Sequence, residues 1–163
     1  MPRISTLICS ALCATVMSFG QAPKPAPKQA PMKLPPLKKQ ANATAVVDEH
    51  LDALNKCDWN RLVAQFPEDV EIFLPGGTDV IGRQKVAELF QNVVKPAKEG
   101  GVCGMKFEKV HSKLVGDTLT VHWRIVGPGV LEPYHGTDAY ITRDGLMAAQ
   151  VSTFVRGDVK EKK

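Results

Sequence analysis

The sequence lacks the residue patterns of several common classes of enzyme and binding protein. Its 163 residues contain only four histidines, which are scattered, with no spacing that would place two of them on one helix face as metal ligands. It also contains no nucleotide-binding glycine loop, no phosphate loop and no Ser-His-Asp order. We therefore expect neither a metal nor any other cofactor.

No apolar run in the chain reaches the roughly 20 residues that a membrane-spanning helix needs. The candidate run, residues 4–19, is apolar or small throughout and follows the positive charge of Arg3. Small residues at Gly20 and Ala22 then match the positions that a signal peptidase reads. Residues 1–22 are therefore predicted to be a signal peptide cleaved after Ala22. This implies a secreted or periplasmic protein without stable membrane insertion, and an uncleaved membrane anchor is the alternative.

Acidic residues are absent from the next segment, residues 23–41, which contains six prolines and five lysines. Proline removes backbone donors and the lysines repel one another, so the segment is predicted to be an extended linker with polyproline II character. It can serve as a spacer or as a polybasic contact to anionic lipid or polymer. The wide spacing of its lysines favours the spacer.

Basic residues are not in excess in the rest of the chain. Residues 42–163 carry 15 basic and 17 acidic side chains, so the net charge of +4 comes from the first 41 residues. A nucleic-acid-binding protein needs a basic surface on its folded body. We therefore expect no nucleic-acid partner.

Cysteine is scarce, and two of the four cysteines, Cys9 and Cys13, lie in the predicted signal peptide. Cys57 and Cys103 remain, and an even pair in an oxidising compartment can form a disulfide. Sequence spacing does not show whether their α-carbons approach closely enough. Two buried free thiols are therefore the alternative.

Residues 42–156 are long enough for one domain with a hydrophobic core, and residues 157–163 resemble a charged tail. Apolar residues at three- and four-residue steps predict helices, and alternating apolar residues predict strands. These patterns give helices at 45–56, 59–66 and 82–94, and strands at 70–74, 105–115, 118–126, 133–142 and 146–155. Helices followed by strands indicate an α+β fold with the helices on one face of a curved sheet.

The last two predicted strands form a hairpin that contains an unusual acid. Asp144-Gly145 joins the strands, and this dipeptide is favoured in tight hairpin turns. Asp138 lies in the first strand, where one face of the sheet must be buried. A carboxylate there is either a functional group or an acid satisfied by a nearby donor. Tyr140 should share its face, and Gln150 lies on the neighbouring strand.

In combination these elements resemble the nuclear transport factor 2-like superfamily, in particular its SnoaL-like and ketosteroid-isomerase-like branch. The resemblance covers residues 44–154. It rests on helix 46–55 with Asp58 following, the segment 70–77, the Gly82 start of the third helix, and the final hairpin. It implies a cone-shaped roll in which three N-terminal helices pack on a curved, mostly antiparallel sheet and enclose a pocket. It also implies a homodimer.

Residue by residue, the resemblance implies a pocket but not the isomerase reaction. The isomerase uses a carboxylate base beside an oxyanion hole that includes a protonated Asp. Asp138 falls at the protonated Asp, Leu74 at the base, and His50 at a hydrogen-bonding tyrosine. Because leucine cannot take a proton, steroid isomerisation is not expected. The catalytic candidates are Asp138 and His50, and the candidate ligand contacts are Tyr140, Gln150, Trp123, Leu74 and Phe73.

Three functions remain open from the sequence. The domain can bind a small apolar or amphipathic molecule through Asp138, Tyr140 and Gln150. It can be an isomerase- or cyclase-type enzyme in which Asp138 raises the pKa of His50 and the two groups transfer protons. It can be a protein-interaction or dimerisation module of the cell envelope. An enzyme of this kind needs His50 within hydrogen-bond reach of Asp138, directly or through one water, and a histidine hydrogen-bonded elsewhere is the alternative.

Overall fold

The computed structural model describes residues 31–154 and Lys160. The predicted signal peptide, the first part of the predicted linker and most of the charged tail lie outside these residues. Among the described residues, no helix has both the length and the apolar character required to cross a membrane.

Three α-helices and six strands make up the domain. The helices are α1 (Ala43–Asn55), α2 (Trp59–Val63) and α3 (Arg83–Val93), with a short 3-10 helix at Ala97–Glu99. The strands are β1 (Glu71–Leu74), β2 (Thr78–Ile81), β3 (Lys106–Val115), β4 (Thr118–Val126), β5 (Tyr134–Arg143) and β6 (Leu146–Ser152). They form one sheet in the order β2-β1-β6-β5-β4-β3. Only the β1–β6 pairing is parallel, so the predicted α+β fold with a mostly antiparallel sheet is confirmed.

Side-chain caps fix where the first two helices begin. The Asn42 side chain accepts a hydrogen bond from the Ala45 N–H at 2.9 Å, and the Asp58 side chain accepts one from the Arg61 N–H at 3.0 Å. Both caps satisfy backbone donors that have no partner within the helix. Helix α2 is shorter than predicted, because the chain turns at residues 64–66 and buries Phe66 in the core.

Strand β2 is absent from the sequence-based prediction. Gly76 and Gly77 both have positive φ, and they turn the chain so that residues 78–81 pair with β1. This edge strand is short and mostly exposed, so its sequence carries little apolar alternation.

Apolar and polar residues alternate along β4 and set its two faces. Leu119, Val121, Trp123 and Ile125 are buried, whereas His122 and Arg124 are exposed. The buried set faces the helices and contributes to a core that also includes residues of α1, α2 and α3.

The β5–β6 hairpin has the predicted Asp-Gly turn. Asp144 and Gly145 have φ of 54° and 76°, the two positive values that a type I′ turn requires. A Cβ at Gly145 would collide with the Gln40 carbonyl, because the chain before α1 crosses this turn. Glycine is therefore needed here for both conformation and space.

Residues 35–40, which we call the N-terminal strap, lie against the domain. The Arg83 side chain donates to the Pro35 carbonyl at 2.6 Å, and the Gln40 N–H donates to the Gly145 carbonyl at 2.8 Å. The Lys38 N–H donates to the Ala64 carbonyl, also at 2.8 Å. Three residues of the strap are thus hydrogen-bonded to the folded body, within the segment that the sequence predicts to be a linker.

Cys57 and Cys103 form a disulfide, with their α-carbons 5.7 Å apart. Cys57 follows α1, and Cys103 lies in the loop between the 3-10 helix and β3. The bond therefore fastens this loop, residues 100–105, to the end of α1, and the alternative of two free thiols is wrong.

Candidate functional site

A cavity of about 270 Å³ lies between the helices and the inner face of the sheet. Most of its walls are apolar, and the polar side chains are few. The lining residues are His50, Leu51, Leu54, Ile72, Leu74, Leu89, Phe90, Asn92, Val93, Gly100, Val102, Met105, Phe107, Trp123, Ile125, Asp138, Tyr140, Gln150, Ser152 and Phe154. The fold thus encloses the pocket that the sequence predicts.

Strand register brings the polar lining residues together. Asp138 is opposite Ser152, and Tyr140 is opposite Gln150, in the antiparallel β5–β6 pair. Residues two apart on one strand share a face. All four side chains therefore project toward the cavity, and all four are buried.

Asp138 is the acid at the centre of this group and is only 5 % exposed. Its Oδ2 accepts hydrogen bonds from the Tyr140 hydroxyl at 2.9 Å and from Gln150 Nε2 at 3.3 Å. Gln150 Nε2 also donates to Ser152 Oγ at 3.0 Å. The carboxyl is therefore held on one side by a short network from two strands.

Burial raises the pKa of Asp138 above its usual range. Tyr140, Trp123, Ser152 and Gln150 act in the opposite direction, because their donors favour the charged carboxylate, but burial dominates. The Trp123 N–H acts from close by without meeting the geometry of a hydrogen bond. Burial and the neighbouring Asp138 also raise the pKa of Tyr140 well above 10, so the phenol stays protonated.

His50 faces the cavity but does not pair with Asp138. Its ring is 1 % exposed and lies 5.6 Å, between ring centroids, from both Phe90 and Tyr140. No hydrogen bond between His50 and Asp138 is found within the described part of the chain. Burial lowers the pKa of His50 to about 3, so the imidazole is neutral. The predicted dyad required a raised pKa, and the apolar surroundings produce the opposite shift.

Trp123 forms part of an aromatic wall. Its indole lies 5.6 Å from the Phe107 ring and 5.4 Å from the Phe154 ring, both in edge-to-face contact. Gly136 is the cross-strand neighbour of Trp123, and a Cβ there would overlap the indole. The glycine therefore lets the indole lie flat against β5.

Four buried polar atoms of the cavity residues have no hydrogen-bond partner among residues 31–154 and 160. They are His50 Nδ1, Trp123 Nε1, Asp138 Oδ1 and Gln150 Oε1. Buried polar atoms are normally paired, so a group of four around one cavity requires an explanation.

Leu74 and Phe73, the remaining predicted contacts, lie on opposite faces of β1. Ile72 and Leu74 line the cavity, whereas Phe73 does not and is opposite Val151 of β6. Adjacent strand residues point in opposite directions, so Phe73 is not a cavity contact and its assignment is corrected. The same alternation argument, applied to Gln150, would have found Ser152, which the sequence analysis missed. Phe90, Phe107 and Phe154 were also missed, because their convergence depends on the packing of α3, β3 and the end of β6.

The residues of this site do not include a metal-binding group. Among the residues that the structure describes, no three His, Cys, Asp or Glu side chains converge as metal ligands would. The chemistry available at the cavity is therefore that of one carboxyl group, one neutral imidazole, one phenol and neutral amide, hydroxyl and indole groups.

Known proteins share the architecture described above. Residues 47–150 match a family model described as SnoaL-like domain. Similar solved structures include an NTF2-like protein of unknown function from Cytophaga hutchinsonii, which is 15 % identical, with a TM-score of 0.56 over 73 % of this chain and 95 % of that chain. A putative ketosteroid isomerase from Kribbella flavida is 20 % identical, with a TM-score of 0.54 over 69 % and 78 % of the two chains.

A third similar structure is SalBIII, an epoxide hydrolase/cyclase-like enzyme with a role in pyran ring formation in the polyether salinomycin. It is 18 % identical, with a TM-score of 0.59 over 74 % of this chain and 95 % of that chain. Identities this low establish a shared fold and nothing about the reaction. No protein with a curated function matches the sequence.

Proposed function

The chain belongs to the SnoaL-like domain family, and from this premise we propose that its cavity binds a small, largely apolar molecule whose polar end lies at Asp138. One observation carries the proposal: the apolar cavity ends at buried polar atoms that have no partner in the described part of the chain. Ligand sites typically combine apolar walls with a few polar groups that fix orientation.

The size of the cavity limits the ligand. Its volume of about 270 Å³ lies just below the range of roughly 300–1,000 Å³ that is usual for drug-sized ligands. The ligand is therefore compact, on the scale of one or two fused rings. The rings of Phe107, Trp123 and Phe154 offer it flat apolar surfaces.

The groups at the cavity favour binding over proton abstraction. Leu74 stands where the isomerase has its base, and the pKa of His50, about 3, makes this imidazole a weak base. Tyr140 is protonated and donates to Asp138. Among the described residues that line the cavity, a reaction that starts by removing a proton from carbon thus has no suitable acceptor other than Asp138.

The raised pKa of Asp138 favours a second candidate function, proton donation to a bound molecule in an isomerase- or cyclase-type reaction. A carboxyl kept neutral by burial can donate a proton or a hydrogen bond. SalBIII is described as cyclase-like, and the extension of that activity to this chain is part of the proposal. Product formation that is abolished in Asp138→Asn and absent above the Asp138 pKa would favour this function over simple binding.

Secretion and self-association stay proposals as well. The Cys57–Cys103 disulfide supports a secreted or periplasmic location, because such bonds persist in oxidising compartments. The homodimer, and the interaction module that it implies, rest on resemblance alone. Light scattering of the purified chain would give its mass in solution directly.

The proposed ligand can be sought by native mass spectrometry of the protein purified from its own host. We expect a small molecule that stays bound under native conditions and is released on denaturation. Leu89→Trp places a larger side chain at the cavity wall, which fills part of the cavity and should abolish the adduct. Val151→Thr, on the exposed face of β6, is the matched control and should retain it. Retention of the same adduct by Leu89→Trp would place the molecule outside the cavity.

A further inference from the structure

We propose that the Cys57–Cys103 disulfide controls how tightly the cavity holds its ligand, so that the oxidised protein retains the molecule and the reduced protein releases it. The inference rests on the proposed function and assigns both cysteines as positioning residues of the binding site. It follows from the place of the disulfide, which joins two walls of the cavity beside its opening.

The cavity opens to solvent beside the end of α3. Of the lining residues that the structure describes, Asn92 and Gly100 are exposed, and the others are buried or half-buried. Asn92 lies in the last turn of α3, and Gly100 follows the 3-10 helix. A ligand that reaches Asp138 therefore passes between α3 and residues 94–105, which we call the rim segment.

The rim segment is a wall of the cavity whose shape is fixed by its own backbone. Gly100, Val102 and Met105 all line the cavity. The Cys103 N–H donates to the Lys95 carbonyl at 2.9 Å, and the Met105 N–H donates to the Val102 carbonyl at 3.0 Å. Both of these hydrogen bonds lie within the segment, so they shape it without fastening it to α1.

The disulfide fastens the rim segment to the wall that α1 forms. Cys57 follows α1, whose residues His50, Leu51 and Leu54 line the cavity, and Cys103 lies in the rim segment. The two cysteines are 46 residues apart in sequence, and their α-carbons are 5.7 Å apart. The bond thus sets the distance between two walls. Without it, the rim segment can move away from α1 and widen the opening.

The connection between α1 and β3 does not depend on the disulfide. The Asn55 side chain donates to the Phe107 carbonyl at 2.9 Å and accepts from the Phe107 N–H at 2.7 Å. These two hydrogen bonds hold the start of β3 against α1, just after the rim segment. Loss of the disulfide therefore frees the rim segment and leaves the helices and the sheet in place.

Cys57 has a backbone conformation that favours glycine. Its φ is 53°, in the left-handed region that glycine usually occupies just after a helix. A side chain with a Cβ is disfavoured in this conformation. Cys57→Gly therefore removes the sulfur without straining the backbone, which makes it a suitable variant for opening the disulfide.

Reduction of the disulfide is a balanced exchange with a dithiol. Dithiothreitol supplies two electrons and two protons, the S–S bond breaks, both cysteines become thiols, and the reductant closes into its cyclic disulfide. Both cysteines are partly exposed, so the reagent has access to them. A compartment that keeps thiols reduced therefore holds the weakly binding form, and an oxidising compartment holds the tightly binding form.

The probe 1-aminonaphthalene, a compact apolar molecule whose fluorescence rises in apolar surroundings, tests the inference on the mature protein. We expect its dissociation rate, measured by stopped-flow dilution, to rise about tenfold or more on reduction with dithiothreitol, with a matching rise in Kd. Reoxidation should restore the slow rate. The double variant Cys57→Gly/Cys103→Ser should release the probe as fast as the reduced protein, with or without dithiothreitol.

Arg83→Met separates this effect from a general loss of stability. Arg83 does not line the cavity, and the variant removes the hydrogen bonds to the carbonyls of Pro35 and Val63. We expect it to melt at a lower temperature but to release the probe at the unmodified rate. Thermal melts of all forms identify a temperature at which each is folded, and the rates are compared there.

The outcomes separate this inference from the proposed function. Equal dissociation rates in the oxidised, reduced and double-variant proteins would overturn the inference and leave the binding site. Equally fast release from Arg83→Met, or unfolding on reduction, would also overturn it, because the disulfide would then act only through the stability of the fold. If the oxidised protein neither binds the probe nor carries an adduct in native mass spectrometry, the proposed function fails and the inference with it.

Discussion

Arg83 and Asp138 are both buried, at 7 % and 5 % exposure, but their side chains differ in how completely they are hydrogen-bonded. Arg83 donates to the carbonyls of Pro35 and Val63 at 2.6 and 3.3 Å and to Glu68 at 3.2 Å, and only its Nε is left unpaired. Among residues 31–154 and 160, Asp138 has no cationic partner within hydrogen-bond distance, and its Oδ1 is unpaired at the wall of a cavity.

The comparison separates a structural use of a buried polar group from a functional one. Arg83 joins the N-terminal strap to the start of α3, and its bonds are made to the protein itself. Asp138 is held by neutral donors on one side and left open on the other, which is the arrangement expected where a ligand completes the set.

The largest effect should come from Arg83→Met. The carbonyls of Pro35 and Val63 would lose their donor, and we expect the free energy of unfolding to fall by about 2–3 kcal/mol. Lys85→Met, an exposed position on the same helix, is the matched control and should change it by less than about 0.5 kcal/mol. Urea denaturation measures both values. Equal stability of the two variants would show that Arg83 does not anchor the strap.

Gly136→Ala should affect both folding and the site. The added methyl group overlaps the Trp123 indole, so we expect a loss of about 1–3 kcal/mol in stability together with weaker binding of the cavity ligand. Gly129→Ala has open space around the new methyl group and should leave binding unchanged. Thermal melts and calorimetry would measure the two effects. A normal affinity in Gly136→Ala would mean that the position of the indole is not critical.

Asp138→Asn should leave the fold intact and weaken binding of the cavity ligand about tenfold, because the ligand loses its carboxyl neighbour. Asp79→Asn, at the exposed edge strand β2, is the control and should bind normally. Unchanged affinity in Asp138→Asn, alongside a normal melt, would remove Asp138 from the site.

The unmodified protein and Asp138→Asn should also differ in how their stability depends on pH. Burial raises the pKa of Asp138 in the folded state above its ordinary value of 3.8, so the folded state holds this proton more tightly than the unfolded chain. The resulting stability is fully present below pH 3.8 and is lost as the pH rises through the folded-state pKa. The stability of the unmodified protein should therefore fall relative to Asp138→Asn over that range, as measured by urea denaturation at several pH values. If the unmodified protein instead gained stability relative to Asp138→Asn as the pH rises, the result would contradict a raised pKa of Asp138.

The smallest expected effect is a null result. Because the family resemblance assigns Leu74 to the position of the base, we expect that the protein does not isomerise a 3-keto steroid above the uncatalysed rate. Absorbance of the conjugated product measures the reaction. Turnover near that of a ketosteroid isomerase would falsify the assignment of Leu74 to the base position.

Much of the fold could be read from local patterns. The alternation in β4 predicted its buried face, and the Asp-Gly dipeptide predicted the β5–β6 turn. Asn42 and Asp58 are of the residue types that favour helix caps, and each caps a helix in the structure. These signals depend on neighbours two to four residues away, so the sequence contains them in full.

The candidate site was predictable only in part. Asp138, Tyr140, Gln150 and Trp123 follow from strand alternation together with the family resemblance, and all four line the cavity. Phe73 was assigned against that same alternation. The His50–Asp138 dyad was not supported, because the ionisation of His50 depends on aromatic residues from α3, β5 and the segment after α2.

Local sequence patterns specify α1, α3, five of the six strands, the apolar face of β4, and an acid in a strand that must be half-buried; they miss β2 and the early end of α2. Long-range packing decided that the strap returns to the domain, that the chain forms the Cys57–Cys103 bond, and that β1 lies parallel to β6. It also decided the direction of each pKa shift at the cavity. The physical reason is range: backbone conformation responds to near neighbours, whereas burial and hydrogen-bond partners depend on segments that are distant in sequence.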